Sequence, residues 1–149
     1  MKWLIPLLLA GCGGAGFEAT LLEATPQALD PSRDEANDLT LRVRYQHPAA
    51  LLGDGTALVH DCRADGLTTK LSIPPIASQE AKDRAVPIAG ELTLLVPDVG
   101  RVSAPGAAPA CATFAPEPST IDRAVFCVAL VDSAGTEAPA GCTAPIAIQ

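Results

Sequence analysis

Polar and apolar residues alternate most regularly from Leu39 to Gln46. Leu39, Leu41, Val43 and Tyr45 fall on one side, and Thr40, Arg42, Arg44 and Gln46 on the other. A period of two with one wet side predicts a half-buried strand. Leu67 to Ile73 repeats the pattern, with Leu67, Leu71 and Ile73 expected inward. Glu91 to Val96 does so again through Leu92, Leu94 and Val96. Weaker strand signals cover Glu18–Glu23, Thr56–Arg63, Arg123–Asp132 and Thr143–Ile148. Within the third of these, Ala124 to Val131 is apolar on both sides, which suits a central strand.

Turn formers separate these runs. Gly53-Asp54-Gly55 precedes one strand, and Asp132-Ser133-Ala134-Gly135 follows the longest. Pro74-Pro75, Pro97-Asp98 and Pro116-Glu117-Pro118 are excluded from central strands, because proline lacks the ladder donor. Pro31–Asn37 and Ser78–Arg84 suit single helical turns, and neither carries an apolar stripe long enough to dock as a full helix. Residues 100–120, rich in Ala, Pro and Gly, read as a long connection. Seven strands at turn-punctuated spacing predict an all-β, antiparallel two-sheet sandwich.

Composition narrows the picture. The 149 residues fit one domain, and 48% hydrophobic residues with only 3% aromatics imply a core of small aliphatics. A net charge of -7 argues against nucleic acid as a partner, since phosphate neutralisation needs a basic patch.

The N-terminus has the order of a secretory signal. Lys2 precedes the apolar run Trp3 to Ala10, and Gly11-Cys12 follows. That run falls well short of the ~20 residues a membrane-spanning helix needs. Leu9-Ala10-Gly11-Cys12 resembles the lipobox of bacterial lipoprotein precursors. The resemblance implies a signal peptide over residues 1–11, with diacylglyceryl and further acyl chains (palmitate among them) on Cys12. It also implies that Cys12 begins the mature chain and that residues 12–17 form a flexible tether, with the sandwich over 18–149. One acyl chain anchors only marginally, whereas two or three hold a protein at the bilayer. Gly13, where Asp would signal inner-membrane retention, implies the outer membrane of a bacterial cell envelope.

Cysteine parity agrees with this. Five is odd, and setting Cys12 aside leaves Cys62, Cys111, Cys127 and Cys142. An exported, oxidising setting favours pairing all four as disulfides.

The strand pattern also resembles an immunoglobulin or fibronectin type III-like module. Ala124 to Gly135 is similar to the late F strand and F–G turn of such domains, and the only tryptophan, Trp3, lies in the signal. Three disulfide pairings are open. The favoured one joins Cys127 to Cys142 between neighbouring late strands, and Cys62 to Cys111 across the Pro-rich connection.

Catalytic patterns are sparse. His47 and His60 are thirteen residues apart and there is no Cys-x-x-Cys, so zinc spacing fails. In His60-Asp61-Cys62, strand geometry sends His60 and Asp61 to opposite faces and puts His60 and Cys62 on one. Asp54, Asp61 and Asp65 are candidate calcium carboxylates without EF-hand spacing. Asp30, Asp34, Glu35 and Asp38 read as a solvated acidic loop. Arg42 and Arg44 are candidates for an anionic glycan or lipid headgroup, against cross-strand charge pairing. The reading reached is a lipid-anchored envelope protein with a non-catalytic binding or accessory module and no cofactor or metal. Its partners are the membrane, through Cys12, and an envelope protein or glycan. A spacer subunit of an envelope complex and a small calcium-dependent hydrolase are the alternatives.

Overall fold

The alternation at Leu39–Gln46 becomes a nine-residue strand paired along its whole length. In a computed structural model, which describes residues 16–33, 37–64, 67–102, 111, 119–120 and 122–149, the strands are β1 (Glu18–Thr25), β2 (Ala28–Leu29), β3 (Leu39–His47), β4 (Thr56–Asp61), β5 (Thr68–Ser72), β6 (Ile88–Val96), β7 (Arg123–Ala124), β8 (Phe126–Val131), β9 (Glu137–Cys142) and β10 (Ile146–Ile148). A single helical turn, α1 (Gln79–Asp83), lies between β5 and β6. The segment expected to be a signal peptide, residues 1–11, and residues 12–15 of the expected tether lie outside the described residues.

Seven strands build two antiparallel sheets, ordered β1-β3-β6 and β5-β4-β8-β9. Chain-order neighbours β3 and β4 sit in different sheets, as do β5 and β6, so the chain crosses the sandwich in the immunoglobulin-like manner. A small ribbon, β2-β10-β7, closes one end, and its β2–β10 pair is parallel.

The inner faces meet in one core. Leu39, Leu41 and Val43 of β3 are fully buried, and they join Leu94, Val96, Val59, Phe126, Val128 and Leu130. β8 is buried along both faces, as its unbroken apolar run required. In β1 the two consecutive leucines mark a bulge. The register shifts between Leu21 and Glu23, so Ala19, Leu21 and Ala24 all face the core, and Leu22 is the extra residue. Gly55 meets β8 so closely that a Cβ there would strike the Val131 carbonyl oxygen.

Two expectations need correction. Leu67 does not face inward: it precedes β5 and is 42% exposed. The strand expected over Thr143–Ile148 shortens to Ile146–Ile148, and the seventh sandwich strand is instead Glu137–Cys142. Pro139 and Gly141 concealed it. Because β9 is an edge strand, Pro139 costs no central ladder bond there, and a register shift opposite Val128/Ala129 absorbs one residue. Of the expected turn at Pro31–Asn37, residues 34–36 lie outside the described residues.

The turn at Ser78–Arg84 forms with defined caps. Ser78 Oγ accepts from Ala81 N at 3.2 Å. At the other end, Val86 N donates to Ala81 O and Ala85 N donates to Lys82 O, a Schellman closure. The residue in the left-handed position is Ala85, φ 49°, rather than glycine. Replacing Ala85 by Gly relieves that strain at some entropic cost, and is expected to stabilise the fold by up to about 1 kcal/mol. The check is an upward shift in Tm of about 2–4 °C.

Candidate functional site

The far end of β4 gathers the most unusual chemistry in the domain. Asp61 ends that strand, and Arg63 follows two residues later with its side chain only 1% exposed. Arg63 Nε and Nη2 both bond the Asp61 carboxylate, the latter at 2.6 Å, and Nη2 also donates to Gly100 O at 3.0 Å. Nη1 is buried without a hydrogen-bond partner among the described residues. The fork therefore ties the β4–β5 turn to the chain leaving β6. A groove of about 270 Å³ runs between these segments. Asp61, Thr68 and Arg101 supply its polar lining, and Leu67, Val99 and Phe126 its apolar lining. Leu67 is thus exposed because it forms the lip of this groove. No periodicity in the sequence pointed to Arg63. The only available cue was its place beside Asp61 and Cys62.

The opposite end of the sandwich holds a second buried pair. His47 Nε2 lies 2.9 Å from Asp132 Oδ2, with both side chains under 5% exposed. The N–H of Ala49 points at His47 Nδ1 from 3.0 Å. A backbone N–H is only a donor, so Nδ1 is the accepting nitrogen and Nε2 carries the proton given to Asp132. Asp132 Oδ1 in turn accepts from Ala134 N and Thr136 N. The imidazole is therefore committed on both nitrogens, and the Phe17 ring packs on it at 4.8 Å. Such an arrangement welds the β3–β4 and β8–β9 turns together. Burial pushes the Asp132 carboxyl pKa up, but the His47, Thr136 and Ala134 donors outweigh it and hold the value below the usual carboxylate range.

The other candidate residues are distributed as follows. His60 and Asp61 diverge: His60 Nδ1 meets Thr68 Oγ1 at 2.9 Å on the outer face, away from the Arg63 fork. Asp54 and Asp61 do not form a calcium site. They flank β4 at opposite ends, Asp54 bound to Lys82 Nζ at 2.6 Å and Asp61 to Arg63, while Asp65 lies outside the described residues. Asp30 accepts from Ser32 and Asp38 from Asp98 N, and Asp34 and Glu35 lie outside the described residues. Arg42 is taken up by Glu23 and Glu91, each at 2.9 Å, and Arg44 reaches Glu91 at 3.4 Å. The outer face of β1-β3-β6 is therefore a charge-paired ladder.

The cysteines pair as favoured, Cys62–Cys111 and Cys127–Cys142. The Sγ atoms of Cys62, Cys111 and Cys127 lie within 4.8 Å of one another. As disulfides they carry no thiolate for a metal. Among the described residues no helix is long and apolar enough to cross a membrane. No family model matches the chain, and no curated protein or solved structure is significantly similar to it.

Two predictions test the buried pairs. Asp61→Asn leaves the Arg63 charge uncompensated and is expected to cost about 3–5 kcal/mol, read as a lower urea midpoint. For Asp132 the folded pKa lies below the unfolded one, so its stabilisation is present above the unfolded value near ~4 and is lost as pH falls through the folded value. Asp132→Asn is therefore expected to lower the urea midpoint at pH 7. The gap between the two proteins should narrow below pH 4.

Proposed function

We propose that this chain is a lipid-anchored protein of a bacterial cell envelope, whose immunoglobulin-like sandwich is a non-catalytic binding or accessory module. The observation that carries this reading is the cysteine account. Four of the five cysteines are consumed in two disulfides within the domain, and the one that remains, Cys12, is the residue at the end of Leu9-Ala10-Gly11-Cys12. Two disulfides support an oxidising, exported setting, and the N-terminal pattern is that of an export signal.

The fold supports a definite orientation for such an anchor. Glu18 pairs with Gln46, so the tether enters at the end of β3 that carries His47. The six residues from Cys12 to Phe17 reach at most about 20 Å. The His47–Asp132 end would then lie near the bilayer. The nine residues of β3 span about 30 Å. Across that length, the Asp61–Arg63 groove would face away from the membrane, where an envelope protein or glycan has access. A groove at the free end favours a binding module over a bare spacer. Gly13 after the acylated cysteine favours the outer membrane.

Metabolic labelling tests the anchor. Radiolabelled palmitate is expected to enter the wild-type protein in a bacterial host, and Cys12→Ala is expected to abolish incorporation and release the protein from the membrane fraction. Label retained in Cys12→Ala would overturn the assignment.

A further inference from the structure

Register places four side chains in one row across the second sheet. Thr68 of β5 is opposite His60 of β4, His60 is opposite Cys127 of β8, and Cys127 is opposite Cys142 of β9. The row lies on the outer face, since the residues flanking Cys127 in β8, Phe126 and Val128, belong to the core. Cys62 also turns to this face, two residues beyond His60. Its Sγ lies 3.4 Å from Cys127 Sγ, so the two disulfides touch sulfur to sulfur.

The four half-cystines differ in access. Cys62, Cys111 and Cys127 are buried at 7%, 3% and 4% exposure, whereas Cys142 is only partly buried. Cys142 sits on the edge strand, beside a notch of about 40 Å³ lined by His60, Cys127, Ala129, Pro139 and Cys142. Gly141 next to it presents no side chain, and space is open where one would stand.

We propose that this notch is a thiol–disulfide exchange site, entered at Cys142 by a dithiol reductant, and that the sulfur contact passes the exchange on to Cys62–Cys111. A donor thiolate attacks Cys142 Sγ, forming a mixed disulfide while Cys127 leaves as thiolate. Freed from Cys142, the Cys127 thiolate turns about its Cα–Cβ bond to line up behind Cys62 on the side away from Cys111, then attacks Cys62 Sγ, making Cys62–Cys127 and expelling Cys111 as thiolate. The donor's second thiolate then closes on its own sulfur in the mixed disulfide and expels Cys142. The donor is oxidised by two electrons, and its two protons end on Cys111 and Cys142. Two protein disulfides become one. Attack rate follows access and the availability of a thiolate, and here Cys142 is the least buried half-cystine, with the Cys127–Cys62 contact buried behind it. The sequence consequence is specific. The cysteine freed in the interior is Cys111, the residue that holds the connection between β6 and β7 to the body. The proposal does not depend on the lipid anchor.

Partial reduction tests it. The oxidised full chain, with free thiols first blocked by N-ethylmaleimide, is treated with one equivalent of dithiothreitol, quenched with iodoacetamide and mapped by mass spectrometry. The expected two-electron product carries Cys62–Cys127, with carbamidomethyl groups on Cys111 and Cys142. Carbamidomethylated Cys127 and Cys142 with Cys62–Cys111 intact would overturn the relay. Carbamidomethylated Cys62 and Cys111 with Cys127–Cys142 intact would overturn the entry site. Cys142→Ser gives an independent reading without reductant, because it leaves Cys127 unpaired. Its major form is expected to hold Cys62–Cys127 with Cys111 free, and a major form that keeps Cys62–Cys111 counts against the proposal.

Discussion

Strand β8 has no face left for water, and the surrounding architecture follows from that constraint. Phe126, Val128 and Leu130 fill the space between the sheets. Cys127 and Ala129, on the other side, are also buried. A strand apolar on both faces needs neighbours on both edges and cover on both sides. β4 and β9 supply the edges and the β1-β3-β6 sheet covers the inner face. The outer face is sheltered by sulfur: Cys62, Cys111 and Cys127 cluster with Val125, and Cys142 packs against them. The disulfides therefore have two roles, as covalent clamps and as apolar cover for the outer face of β8, over which no third layer lies among the described residues. In the chain-entropy model a loop the length of Cys127–Cys142 is worth about 3 kcal/mol, and the longer Cys62–Cys111 loop somewhat more. For a core with so few aromatics these are large contributions beside a typical margin of about 5–15 kcal/mol.

Each end of the sandwich is closed by a buried acid–base pair, and the two differ in chemistry. At the His47 end the base is neutral, so only one formal charge is buried, and three donors satisfy it. At the Arg63 end both partners are charged, and one guanidinium nitrogen has no partner among the described residues. The first arrangement is the less costly to bury, and it sits where two turns must be held together. The second borders the groove. A buried salt bridge is weak evidence for net stability, and what this one does in the fold is join the β4–β5 turn to the Gly100 carbonyl.

What could be read in the sequence follows the range of each interaction. Leu39 to Gln46 declared itself because one face of β3 is fully buried and the other faces water. Ala124 to Val131 declared itself by lacking a polar face. Cysteine parity and the place of Cys111 in a Pro-rich connection favoured the pairing that the structure holds. β9 was hidden because proline and glycine, which mark turns in most settings, are tolerated on an edge strand with a bulge. Leu67 misled because alternation reports a shared face, and that face runs out past the end of the core into the groove. His47 and Asp132 are 85 residues apart, and each looks ordinary within its own segment. Only tertiary register joins them, and the same holds for Arg63 and Gly100.

The chemistry of the outer face also depends on register. A shift of one residue between β4 and β8 would send His60 and Cys127 to opposite faces and separate the disulfides. The register is fixed from the inside, by the burial of Ala57, Val59, Phe126, Val128 and Leu130. The core between the sheets thus determines which sulfurs touch, although the row itself lies on the other face. Edge position then decides which sulfur meets solvent. β9 is outermost, so Cys142 is the least buried of the four half-cystines, and Cys62, Cys111 and Cys127 are buried. An exchange that begins at the edge can proceed only inward along this row, toward Cys111 and the connection it secures.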